Sequence, residues 1–206
     1  MNLSRSILLL QFAAALALGQ SSPPSLPDQP ETFVQSFYQQ VVARHPAGLP
    51  GVADMKILAP YLSTALLHRI DLARACSHDW DRQHPGITIK PQVAWLESGL
   101  FSGQDERTGP NAFEIERTEK EKDGSSQVYV RLKWWETSDS SADKWHTTPE
   151  RPAIWQVGAI VTRENGHLVL DDVIFLKDKF DPVDRRLSEV LAKGCDGPRW
   201  VGYRDE

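Results

Sequence analysis

When the stretch from Leu62 to about Gln83 is wound as a helix at roughly 100° per residue, Leu62, Leu66, Ile70, Ala73, Cys76 and Trp80 fall on one stripe. A helix with so continuous an apolar face has to lie against something large and apolar. The partner surface is written further along the chain. Over Gln127 to Trp135, Val128, Val130, Leu132 and Trp134 alternate with Tyr129, Arg131, Lys133 and Trp135, the pattern of a strand with two different faces.

The remaining elements follow from spacing and breakers. Pro30 to Arg44 reads as a first helix: Pro30 suits its first turn, Glu31 its positive end, and Phe33, Val34, Phe37, Tyr38 and Val41 recur at helical spacing. His45-Pro46, Gly48 and Gly51 end it, and a second helical stretch runs from about Ala53 until Pro60 interrupts it. Strands are expected over Phe113–Glu119, Gln127–Trp135, Ala153–Arg163 and Leu168–Leu176. Asp123-Gly124 and Asn165-Gly166 serve as turns, and a polar loop spans Glu136–Arg151. A short helix, Pro182–Ala192, should close the domain. Helices grouped on one side of about four antiparallel strands make an α+β fold, with the sheet curved around the long helix.

The first residues have a different character. Arg5 precedes the apolar run Ile7–Leu18, which is too short to span a bilayer comfortably, and Ala17 and Gly19 satisfy the small-residue rule for cleavage before Gln20. Residues 1–19 are therefore read as a signal peptide, 20–29 as a flexible Pro/Ser-rich leader and 30–200 as one domain, periplasmic or secreted. Gln20 stands where a lipoprotein would carry cysteine, so no lipid anchor and no membrane span is expected after cleavage. The chain has 28 acidic against 23 basic side chains. That balance argues against nucleic acid, which needs a clustered positive surface, and against anionic lipid. Export would carry Cys76 and Cys195 into an oxidising space, where a disulfide is the preferred state. It would join the long helix to the C-terminal region and stabilise by up to roughly 4–5 kcal/mol on a chain-entropy model.

Several runs resemble a known family. They are Phe33-Val34-Gln35-Ser36-Phe37-Tyr38, Pro60-Tyr61-Leu62-Ser63, Glu97-Ser98-Gly99-Leu100-Phe101-Ser102 leading to Gly109-Pro110-Asn111-Ala112-Phe113, and Leu170-Asp171-Asp172-Val173. Together they look like exported bacterial proteins of unknown function with an NTF2-like, cone-shaped domain. The likeness departs at Leu168 and Leu100, where many such proteins carry Trp and an acidic residue. It implies a pocket between sheet and helices, used in other cones for dehydration, isomerisation or plain ligand binding, and it implies dimerisation through the outer face of the sheet. Fold alone does not choose among these.

The residues offer few candidates for chemistry. Strict alternation places Asp172 on the strand face of Leu168, Leu170 and Ile174, where an unpaired carboxylate would have a raised pKa and could act as a base in a lyase or isomerase. Arg69 falls inside the helical stripe and must either snorkel to water or meet an anion, for which Asp172 is available. Trp80, Trp134 and Trp155 lie on elements expected to wall the pocket, and they complete, with Arg69 and Asp172, the set of ligand-binding candidates. Trp134-Trp135 puts adjacent indoles on opposite faces, so one of the two should be exposed. His78, Asp79, Asp81 and His84 cluster near a helix end and read as a solvated terminus, not a metal site. No G-x-S-x-G or Gly-rich phosphate loop is present, and neither cofactor nor metal is expected. The reading is an exported module that binds a small molecule or an envelope protein in the cone mouth. Protein exported by a host with disulfide machinery should contain no thiol that reacts with Ellman's reagent before denaturation and reduction.

Overall fold

The computed structural model describes residues 27–87, 99–103, 109–135, 153–178 and 182–203. The stretch read as a signal peptide, most of that read as a leader, and the polar loop expected over Glu136–Arg151 lie outside the described residues. Helix α1 spans Pro30–Arg44, as its spacing predicts, and ends at His45 in a left-handed conformation (φ 46°). Helix α2, Val52–Leu58, passes through a short 3-10 turn at Ala59–Tyr61 into α3, Thr64–Gln83. Leu62 belongs to the expected stripe but lies just outside the helix, because the Ser63 side chain accepts the Leu66 N–H and caps it. Leu66, Ile70, Ala73, Cys76 and Trp80 are the buried face of α3.

The sheet contains β1 (Ala112–Lys120), β2 (Ser126–Trp134), β3 (Ala153–Glu164), β4 (His167–Phe175) and β5 (Arg185–Arg186), antiparallel and in that spatial order. The four long strands agree with the alternation to within a residue at each end, and Asn165 and Gly166 both take positive φ in the β3–β4 hairpin. Beyond β4 the expectation fails. The helix foreseen over Pro182–Ala192 is only Leu187–Ala192 (α4), because Arg185 and Arg186 pair with Phe175 and Ile174 as a fifth strand. Asp184 shortens it too, its carboxylate accepting the Lys177 N–H across the β4–β5 connection. A small hairpin, β6 (Cys195–Asp196) and β7 (Arg199–Trp200), follows.

The core lies between helices and one sheet face. Phe33, Phe37, Val41, Leu66 and Ile70 from the helices meet Val128, Val130, Leu132, Val157, Ala159, Val161 and Leu170 from the strands. Leu187, Val190 and Leu191 of α4 join the same cluster. The other face is polar at β1–β2: Lys133 and Glu114 pair at 3.1 Å, and Arg131 pairs with Glu116. Glu116 is an extra residue in β1, where the register passes from Ile115↔Val130 to Arg117↔Tyr129, and its carboxylate also accepts from Gln156 at 2.5 Å. Cys76 and Cys195 form a disulfide across 119 positions of sequence. Among the described residues no helix is long and apolar enough to cross a membrane. Leu66 is fully buried at the centre of this arrangement. Leu66→Ala should therefore lower unfolding free energy by about 2–5 kcal/mol in urea titration, with no change in the far-UV spectrum of the folded state.

Candidate functional site

The position of Asp172 is decided by a second bulge. In β3–β4 the register moves from Val161↔Leu170 to Ile160↔Asp172, so Asp171 is the extra residue and the alternation of β4 is broken there. Leu168, Leu170, Val173 and Phe175 therefore turn to the core, while Asp172 lies opposite Ile160, which the core cluster does not include. The face predicted for Asp172 is thus corrected: it does not share that of Leu168 and Leu170. Its side chain is buried and fully engaged. It accepts from the Val173 N–H at 2.9 Å, the Ser188 N–H at 3.0 Å and the Ser188 hydroxyl at 2.7 Å, and it pairs with Arg186 at 3.4 Å. Ser188 is in the first turn of α4, so Asp172 ties that helix to the sheet as a remote cap. A carboxylate holding four donors has no lone pair aimed at a substrate.

Arg69 takes the snorkelling alternative: it is exposed on α3. The partner of Asp172 is Arg186, so the structure does not bring Arg69 and Asp172 together.

The tryptophans separate into two places. Trp134 and Trp155 are near neighbours on the inner face, since Leu132 pairs with Trp155 and Trp134 with Ala153. They stand at one end of the sheet, and Trp155 lies beside the turn formed by residues 99–103. That turn is closed by Ser102 and Gly103 N–H groups donating to the Gly99 carbonyl, and its Leu100 and Phe101 side chains are buried. Trp155 donates its indole N–H to the Ser102 carbonyl at 2.8 Å, and Tyr38 donates its hydroxyl to the Phe101 carbonyl at 3.0 Å. Burial pushes the Tyr38 phenol well above its usual range, so it remains a donor at any physiological pH. A side chain at Gly103, where φ is +73°, would begin 2.5 Å from the Phe175 ring. Trp155, expected to wall a pocket, instead holds this turn in place as a plug, together with Tyr38. A cleft beside the plug, lined by His45, Pro46, Ser102 and Gly109 among others, has a volume of about 10 Å³, the space of about one water.

Trp80 is elsewhere, towards the C-terminal end of α3, where it stacks on His84 with ring centroids 4.7 Å apart. Its neighbour Asp79 accepts the Trp200 N–H at 2.9 Å and pairs with Arg82 at 2.9 Å. The Trp200 N–H above all, with Arg82 and Gln83, holds the Asp79 carboxyl below its ordinary range. The His/Asp cluster read as a solvated terminus is thus partly a docking point for the C-terminal hairpin. Among the described residues, no group of three or more His, Cys, Asp or Glu is placed to hold a metal ion.

The outer face of the sheet carries the features a partner could use. Trp134 packs against the core, whereas Trp135 is 42 % exposed, its backbone clasped by the Asn111 amide, which donates to the Trp135 carbonyl at 2.6 Å and accepts its N–H at 3.3 Å. Ile154, 56 % exposed, pairs with Lys133 and so lies on that face at the same sheet end. Ile154 was missed from the sequence, although its alternation with buried Trp155 carried the signal. No family model, no curated protein and no solved structure matches this chain. Asp172→Ala should cost roughly 1–3 kcal/mol in thermal or urea unfolding, because Ser188 and Val173 lose their acceptor. Arg69→Ala should stay within about 0.5 kcal/mol of the parent in the same measurement.

Proposed function

We propose that this chain is an exported NTF2-like module that works by binding, and that its partner is another protein of the envelope, met at the Trp135–Ile154 end of the sheet. The observation that carries this is the exposure of two large apolar side chains on one face and at one end of β2–β3. Exposed aromatic and aliphatic groups ringed by charge are the usual composition of a contact centre, and here Lys133, Glu114 and Arg131 supply the polar surround. Binding of a small molecule inside the cone has less support, since the turn at 99–103 fills the inner end and its carbonyls are already satisfied. A lyase or isomerase using Asp172 has less still, since that carboxylate caps α4. Helices before an antiparallel sheet, a helix-to-C-terminus disulfide and the apolar N-terminal run all support the exported, NTF2-like reading.

The test is a photo-crosslinking amino acid placed at 154, with a control at Val52, which is 91 % exposed on α2. In exported material position 154 should give a discrete protein adduct that position 52 does not. Trp135→Ala in the protein that carries the crosslinker at 154 should weaken its capture about tenfold or more while leaving stability within about 0.5 kcal/mol. Identical patterns from both positions would refute the proposal.

A further inference from the structure

The C-terminal hairpin is attached to the rest of the molecule mainly through α3. Helix α4 is held by Leu187, Val190 and Leu191 in the core, but of the described residues beyond Gly194 only Trp200 packs against that cluster, and Val201 is exposed. Strands β6 and β7 are two residues each, too short to be stable alone. Three ties hold the hairpin to α3: the Trp200 N–H to Asp79 at 2.9 Å, the Gln83 amide to the Trp200 carbonyl at 3.4 Å, and the disulfide from Cys195 to Cys76. Two of these are single hydrogen bonds at a half-exposed helix end. The covalent bond is the strong one.

We propose that this hairpin is a redox-controlled latch: with Cys76–Cys195 intact, residues 193–203 stay closed on α3, and on reduction they come away while the helices and the five-stranded sheet remain folded. The bond is poised for attack from one side, since Cys76 is fully buried and Cys195 only half-buried. A dithiol reductant of the thioredoxin class would attack Sγ of Cys195, and the S–S bond would break with Cys76 leaving as a thiolate that takes up a proton. The reductant's second thiolate would then displace Cys195 from the mixed disulfide. Two electrons pass to the protein, and the reductant ends as its own disulfide. Because α4 stays docked through its own core contacts, opening is local. It uncovers the Cys76–Trp80 end of the α3 stripe, the part where β6 and β7 pack on that helix.

Limited trypsinolysis of the oxidised mature protein, of the same protein in excess dithiothreitol and of the Cys76→Ser/Cys195→Ser variant tests this. All digests are reduced and alkylated before mass spectrometry, so that a cleaved but still bridged peptide is counted. Cleavage after Lys193 and Arg199, both exposed, should accelerate about tenfold or more in the reduced protein and the variant. Cleavage after Arg131 and Lys133 in β2 should stay slow, and the far-UV spectrum should be retained. Unchanged rates at 193 and 199 would overturn the proposal. So would equal acceleration in β2, which would mean that the bond supports the whole fold and not a latch.

Discussion

The backbone hydrogen bond from Ser63 to the Leu170 carbonyl, 2.8 Å long, sets where the helical layer meets the sheet. Around it the chain is over-determined. Leu62 bridges Leu170 as a parallel rung, the Ser63 hydroxyl caps α3, and Glu164 at the end of β3 accepts from the Thr64 N–H and hydroxyl. A carboxylate facing the first turn of a helix is favoured by the dipole as well as by those bonds. Tyr61, one step earlier, has its ring 5.7 Å from both Phe33 and Phe37, so α1 is indexed to the same point. Moving the start of α3 by one residue would turn Leu66 and Ile70 off the sheet, and with them the surface on which α4 and the C-terminal hairpin dock.

Much of this was legible because it depends on period. The bounds of α1, the buried stripe of α3 and the four long strands follow from side chains recurring at 3.6 or 2, and burial enforces those repeats along the whole element. The same period, continued through Asp171, misplaces Asp172, because a bulge adds a residue without altering composition. Strand β5 is two arginines, Arg185 and Arg186, whose extended conformation is imposed by the free edge of β4 and by Asp184, not by their own preference. The turn at 99–103 carries no period at all. Its role rests on carbonyls meeting Tyr38 and Trp155, 63 and 53 positions away. Such pairings are absent from any local window.

For function the main consequence is how the buried polar side chains are committed. Tryptophan and tyrosine are often taken as ligand walls, but each also carries one polar donor that must be satisfied when buried. In this chain Trp155 and Tyr38 spend that donor on the plug, and Asp172 spends its acceptors on α4. Asp172 and Trp155, which the sequence offers as site candidates, are needed by the fold for internal polar closure. The contact proposed at Trp135 and Ile154 uses side chains with no such duty: Trp135 is held by its backbone through Asn111, leaving its indole uncommitted to the core.

The bulge at Glu116 bears on a different property, the behaviour of the molecule in a crowded space. β1 is the outermost strand of the described sheet, and its outer rim would offer unpaired backbone groups to any extended chain nearby. Glu116 interrupts the regular spacing of that rim at its middle, and Glu114, Arg117, Glu119 and Lys120 crowd it with charge of both signs. An approaching strand would find neither a matching hydrogen-bond repeat nor an apolar face to settle on. A bulge and mixed charge on an edge strand are devices that oppose edge-to-edge pairing, and β1 carries both.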